Sequence, residues 1–280
     1  MYYYGVQQVT NLHELTIPAD GDPDSLSDYG ASDKKAEVEV IFRNLERRLM
    51  REIRAADYVF GCVAWFTSER LLAALAKKRG VCVVVQKEDF LRPDKNQAIN
   101  WKTRLRAAYE RLPALNRWDF PTLIGSLSTS GDTNLPAVRC VGNHNSNREL
   151  TQPRMHNKFL LFSKSAVPST ADREEYRKWI VRWDEPIEPL FGADLARQNS
   201  CPSFDEWFNG YCSPFERPHL TWTGSFNLTR NSSSSFENAV LIHSSTIANA
   251  YFNEFSQIVA LSEPLNWTSE WVAPEWRIGT

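Results

Sequence analysis

The sequence predicts an α/β fold: a mixed, largely parallel sheet flanked by helices, with an irregular insertion. Residues 58–66 and 81–85 are short apolar runs of the kind that form buried strands. A helix-patterned segment closed by Gly80 joins them, and strand, helix, glycine, strand within about 30 residues is a βαβ unit with a parallel pair. Further strand-like runs follow at 137–141, 155–162, 219–223 and 237–243.

Taken in order, residues 1–33 are weakly patterned, and the acidic, turn-forming stretch 19–28 reads as a loop. Residues 34–56 read as a helix, because Val38, Ile41, Phe42, Leu45, Leu49 and Ile53 share one face at helical spacing. Arg43, Arg47, Arg51 and Arg54 gather on the opposite side, as a solvated face or as a stripe that tracks phosphates. Ser68 is placed to cap a helix over 69–78. Residues 96–112 read as another helix, carrying Lys102, Arg104, Arg106 and Arg111, and residues 247–261 as the last one. The stretch from Ser163 to Pro218 is rich in Pro, Trp and charge, and reads as an insertion of short elements without a core of its own.

Composition narrows the function classes. Of 280 residues, 42% are hydrophobic and 24% charged, as in an ordinary globular protein. The net charge of −2 argues against a dedicated duplex-binding domain, though a local basic face remains open. The ten Trp serve a core or stack on bases. Met1-Tyr-Tyr-Tyr-Gly-Val has neither the basic start nor the apolar core of a secretion signal, and no run of about 18 apolar residues spans a membrane, so a cytoplasmic location is expected. Cys62, Cys82 and Cys140 lie in apolar runs and read as small core residues, while Cys201 and Cys212 have ten residues between them, which is no zinc spacing.

Three pieces carry chemistry: His156-Asn-Lys158, Thr223-Gly-Ser-Phe-Asn227, and Glu237 before the last strand. Residues i and i+2 of a strand share a face, so His156 and Lys158 reach one pocket. A neutral imidazole is a good nucleophile toward phosphorus, and a neighbouring ammonium holds a phosphate oxygen and its developing charge. Gly224 permits a tight backbone, Ser225 and Asn227 add neutral donors, and Glu237 can accept from the second ring nitrogen of His156.

In this order the pieces resemble the phospholipase D superfamily, whose signature is H-x-K, four residues, Asp, and then G-S-x-N. The resemblance rests on Met155-His-Asn-Lys-Phe-Leu-Leu-Phe162, Trp222-Thr-Gly-Ser-Phe-Asn-Leu-Thr229 and Phe236-Glu-Asn-Ala-Val-Leu-Ile242, and covers roughly residues 36–90 and 137–260. It implies an N-terminal extension (1–35) and a phospholipase D-like catalytic domain (36–280) with its insertion at about 163–218. It also implies a two-step reaction. His156 attacks and forms a phosphohistidine; a second His, from a paired half-site, protonates the leaving oxygen and then activates water. Lys158 and Asn227 bind the phosphate with help from Ser225, Glu237 stands where many members place the acid that orients the nucleophile, and no metal or other cofactor is needed.

Two departures stand out. The signature Asp is Ser163 here, with Asp172 or Asp184 as candidate substitutes, and the link between the two motif parts exceeds 50 residues. An insertion of that length is placed to act as a lid, and its Trp179, Trp183 and Trp207 either touch substrate or pack the insertion onto the body. The chain has one H-x-K, since His144, His219 and His243 lack a Lys two residues on. A complete site therefore calls for an isologous homodimer with the two motifs face to face. The leading expectation is a metal-independent nuclease acting on DNA or RNA. The alternatives are a phospholipase or phosphatidyl transferase, for which no membrane-facing stretch is evident, and a degenerate module that binds phosphate.

Overall fold

The structure, a computed structural model, describes residues 11–12, 16–19, 22–25, 27–91, 101–120, 124, 133–145, 152–183 and 201–274. Its centre is an eight-stranded mixed sheet with helices on both faces, so the α/β class predicted from sequence holds. In chain order the elements are β1 (Glu37–Ile41), α1 (Leu45–Ala55), β2 (Tyr58–Val63), α2 (Glu69–Leu75), β3 (Gly80–Gln86), α3 (Trp101–Glu110), β4 (Val138–Val141) and β5 (Lys158–Ser163). After α4 (Thr170–Trp183) and α5 (Phe204–Tyr211) come β6 (Leu220–Gly224), β7 (Ala239–His243), α6 (Ser245–Ala260) and β8 (Glu263–Pro264). The spatial order is β8-β4-β3-β2-β5-β6-β7-β1.

The expectation of a largely parallel sheet is corrected. Only β2–β3 and β3–β4 run parallel, and the other five pairings are antiparallel. The helical crossovers needed for parallel pairs are confined to the first half of the chain. From β5 onward the strands return beside their neighbours, and β5 itself enters antiparallel to β2.

The predicted helix over 34–56 is also corrected. Its first part is the outermost strand β1, and the helix starts only at Leu45. Asn44 takes a left-handed conformation (φ 57°) between the two, which a continuous helix cannot contain. The true apolar face of α1 is Leu45, Leu49 and Ile53, whereas Val38, Val40 and Phe42 are exposed. The stretch read as a loop at 19–28 holds the second strand of a short antiparallel pair, Asp22–Ser25 with Thr16–Ala19. Residues 96–100 of the expected third helix lie outside the described residues.

One face of the sheet buries Val59, Val63, Val81, Val83, Leu160, Phe162, Trp222 and Leu241 in a single core with Leu49 and Ile53 of α1 and Leu71, Leu72 and Leu75 of α2. Ser68 caps α2, its hydroxyl accepting from the Leu71 amide. On the other face Phe252 and Phe255 of α6 pack on Phe60 at ring separations of 5.5 and 5.8 Å. Cys62, Cys82 and Cys140 are free and buried, and burial pushes the Cys82 and Cys140 thiols up to about 12.

Ser165–Glu216 forms a compact unit apart from the rest of the chain. Its described residues add none to the main hydrophobic core, and aromatic side chains gather within it. Tyr176 and Trp179 of α4 share a face at i, i+3 spacing, and Phe204, Trp207 and Tyr211 of α5 share one at i, i+3, i+7 spacing. The result is an aromatic cluster, with Tyr176–Trp207 at 5.5 Å and Trp179–Tyr211 at 5.4 Å. Trp179 and Trp207 are thus partners within this unit, and the side chain of Trp183 lies outside the described residues. Among the described residues no helix is long and apolar enough to cross a membrane.

Candidate active site

The pairing registers place the predicted residues at one end of the sheet. Lys158 opens β5 opposite Val63, where β2 ends; Gly224 closes β6 opposite Ala239, where β7 starts; Ile41 ends β1 beside Ala239. His156 lies two residues before β5, and the Ala64 amide donates to the Asn157 carbonyl at 3.0 Å to fix that approach. His156 and Ser225 are exposed; Lys158, Asn227 and Glu237 are half-buried.

His156 and Lys158 meet as the spacing predicts. Lys158 Nζ is 3.1 Å from His156 Nε2 and donates to the His156 carbonyl at 2.9 Å. An ammonium donating to Nε2 leaves the ring proton on Nδ1. Burial, then the Lys158 ammonium and the Arg154 guanidinium, hold the His156 imidazole below its usual range. Burial also lowers Lys158, against the opposing pull of the Glu237 carboxylate.

Glu237 departs from its expected role. It accepts a short hydrogen bond from the Ser225 hydroxyl, not one from His156, and Ser225 Oγ in turn accepts from the Asn238 amide at 3.0 Å. The Glu237 carboxylate therefore fixes the G-S-x-N turn and offsets the Lys158 charge. Sequence spacing could not choose between Ser225 and His156 as its partner. Asn227 Oδ1, an acceptor, is buried without a hydrogen-bond partner among the described residues, so a phosphate oxygen would be held by the Nδ2 donors of this amide instead. Gly224 has φ +148°, and a Cβ there would stand 2.4 Å from the Asn238 carbonyl oxygen, so the turn accepts no side chain.

Trp65, just beyond β2, is the site residue that sequence reasoning missed. Its ring meets the His156 imidazole edge-on at 5.6 Å, and Lys158 Nζ lies 5.9 Å from its centre. The available signal was an aromatic residue at the end of a buried strand, but using it requires knowing that β2 neighbours β5.

Ser163, at the signature Asp position, is fully buried at the other end of β5, five residues and so roughly 16 Å from Lys158. It pairs with Tyr58, and its hydroxyl donates to the Lys164 carbonyl. Asp172 accepts from the Ser169 amide at 2.7 Å in the first turn of α4, a helix-capping role; Asp184 lies outside the described residues.

Arg43, Arg47, Arg51 and Arg54 line one groove with Glu39 and Arg48. Arg48 pairs with Glu39, and Arg51 with Glu52 at 2.8 Å. Arg43 lies at the site end, its guanidinium 5.7 Å from the ring centre of the exposed Phe236. Among the described residues no group of three or more His, Cys, Asp or Glu could hold a metal ion.

The lowered imidazole gives a measurable prediction. His156 should titrate below about 6.5, the ordinary histidine value. The neutral ring is the nucleophilic form, so any activity that needs it is lost as pH falls through that depressed value and is retained above it. Replacing Lys158 by Met removes a like charge and should move the His156 titration upward, followed by NMR of the imidazole protons. A titration unmoved by the substitution would show that the ammonium does not act on the ring.

No protein-family model matches the chain. It is 29% identical over 257 residues to an uncharacterized protein of Acanthamoeba polyphaga mimivirus, a match covering 87% of this chain and 72% of that protein. Two solved structures resemble it in outline. NucT from Helicobacter pylori is 10% identical with a TM-score of 0.38, over 80% of this chain and 96% of that one. Nuc from Salmonella typhimurium, a phospholipase D family member, is 12% identical with a TM-score of 0.35, over 80% of this chain and 93% of that one. Both likenesses are too weak to carry an argument about fold or activity, and what speaks for a reaction is the cluster of His156, Lys158, Ser225, Asn227 and Glu237 itself.

Proposed function

We propose that this chain is a metal-independent phosphodiesterase of the phospholipase D type that cleaves nucleic acid through a phosphohistidine on His156. The observation that carries the reading is the 3.1 Å pairing of a low-pKa imidazole with an ammonium, facing a glycine turn that presents Ser225 and Asn227. An incoming phosphate would take the Lys158 ammonium onto its own oxygen and free the Nε2 lone pair. Nε2 then bonds to phosphorus as the bond to the leaving oxygen breaks, and Lys158 and Asn227 hold the remaining oxygens, joined by Ser225 as its hydroxyl turns from Glu237 to the phosphate. Water later displaces the imidazole and releases the phosphate monoester.

The leaving oxygen needs a proton, and His156 of a second copy is the proposed donor. Two features support a shared site: one H-x-K per chain, and a His156 exposed to an approaching partner. The arginines at the site end favour a polyanionic substrate. A cytoplasmic setting fits the buried free thiols.

The test is to incubate the protein with single-stranded DNA, duplex DNA, RNA and phosphatidylcholine, with and without EDTA, and to sediment it at micromolar concentration. Expected are nucleic-acid cleavage that survives EDTA, an acid-labile phosphoryl adduct on His156, and a dimer. Cleavage abolished by EDTA would remove the metal-independent mechanism, lipid hydrolysis alone would replace the substrate class, and a monomer that is fully active would sink the shared site.

A further inference from the structure

Next to the proposed catalytic pair lies a cavity of about 420 Å³ that neither His156 nor Lys158 lines. Its walls are Trp65, Thr67, Phe90, Trp101, Thr229, Arg230 and Asn231. Two of its segments grow directly out of the site: residues 64–67 continue β2, and residues 228–231 continue the turn that carries Asn227. They are tied together by backbone, since the Thr67 and Ser68 amides donate to the Leu228 carbonyl at 2.8 and 2.9 Å, and the Leu228 amide returns to the Trp65 carbonyl at 3.1 Å. The wall is therefore built on the same rigid frame as the phosphate site. Trp65 belongs to both: its ring lies 5.6 Å from the His156 imidazole, and it lines the cavity.

The lining is chemically selective. Three aromatic rings offer stacking faces, Thr67, Thr229 and Asn231 offer hydrogen bonds, and Arg230 adds a cation, with no carboxylate among them. An acyl chain gains nothing from the polar half of this lining, and a sugar alone does not need three rings. A flat heterocycle attached to an anionic backbone uses all of it. Such a base cannot be stacked and paired in a duplex while it occupies the cavity.

Building on the phosphodiesterase reading, we infer that this cavity holds an unpaired nucleobase next to the scissile phosphate, which makes single-stranded nucleic acid the substrate class. Trp65 and Trp101 are the stacking residues, and Arg230 and Asn231 face the base and its backbone.

The test uses His156→Ala protein, so that binding is read without turnover. Its affinity is measured at fixed ionic strength for a short labelled thymidine strand, for a strand of the same length made of abasic sites, and for a duplex. The abasic strand carries the same charge, so any difference reports the bases. The thymidine strand should bind about tenfold tighter than the abasic strand and the duplex, the scale of one base stacked on an aromatic ring. Adding Trp101→Ala should erase most of that preference while leaving abasic binding unchanged, and Trp101→Phe should keep it. Trp101 is 40% exposed, so its loss is not expected to disturb the core. Equal affinity for thymidine and abasic strands overturns the pocket, as does a preference that survives Trp101→Ala. Wild-type protein assayed on the same strands separates the two ideas. Cleavage without base preference sinks the pocket alone, and base preference without cleavage sinks the hydrolytic reading alone.

Discussion

Replacing His156 with alanine is expected to abolish phosphodiester cleavage, a fall on the order of 10⁴-fold or more, without loss of fold. The ring is exposed, it ends no core contact, and substitutions at such positions usually change stability by no more than about 0.5 kcal/mol. Its removal also leaves Lys158 with its bond to the residue 156 carbonyl, so the ammonium stays in place. The loss would therefore belong to the nucleophile and not to a rearranged site. The comparison with Lys158→Ala sharpens this. In the proposed reaction Lys158 stabilises charge, and losing one such donor costs about 10²–10³-fold, so a trace of activity should survive there. The measurement is the single-turnover cleavage rate of each variant beside its thermal unfolding curve. Residual cleavage by His156→Ala equal to that of Lys158→Ala would mean that another group attacks phosphorus.

The largest expected effect on stability lies at Lys87. Its side chain is wholly buried where β3 ends, and it pairs with Glu263 at the start of β8. It also donates to the Ser269 carbonyl at 3.1 Å and to the Trp271 carbonyl, and lies 5.4 Å from the centre of the Trp267 ring. One ammonium thus ties the sheet to the C-terminal segment beyond β8. Lys87→Met leaves the Glu263 carboxylate nearly buried without its counter-charge, which should cost about 3–5 kcal/mol. Changing both residues to apolar ones should recover most of the loss, because the isolated charge is then gone. The pH dependence follows from Glu263, which burial already holds above the usual carboxylate range. A carboxyl raised in the folded state weakens folding above that raised value and stops doing so below the unfolded value. The Lys87→Met deficit should thus be full at neutral pH and shrink as pH falls through the carboxylate range. Denaturant unfolding at two pH values measures it, and a single variant as stable as the parent would mean the pair is energetically neutral.

The sequence disclosed most where one physical signal dominated. Residues 58–63 and 80–86 are buried on both faces, so their unbroken apolar runs could only be central strands. The distance of Ser163 from Lys158 follows from strand rise alone, yet from the sequence Ser163 reads only as the replaced signature Asp. The outermost strand was not legible. Ile41 and Leu45 are four residues apart, and that accident let β1 join the helical period of α1, while the left-handed turn at Asn44 has no apolar signature. Strand direction after β4 was hidden because it depends on long connections, not on local pattern. At the site, spacing brought His156 to Lys158, which are local, but not Glu237 to Ser225 or Trp65 to His156, which depend on the order of strands in the sheet.

That order has a consequence in time. Ile41 at the end of β1 pairs with Ala239 at the start of β7, so the first strand of the sheet has no neighbour until nearly the whole chain has left the ribosome. At translation speeds of about 5–20 residues per second the wait is roughly 10–40 s. During it, Glu37 and Glu39 alternate with Val38 and Val40, and two negative charges in five residues make the waiting strand a poor template for another chain. In the finished molecule Glu39 pairs with Arg48, and β1 keeps one edge open among the described residues, so the same charges discourage edge-to-edge pairing there as well.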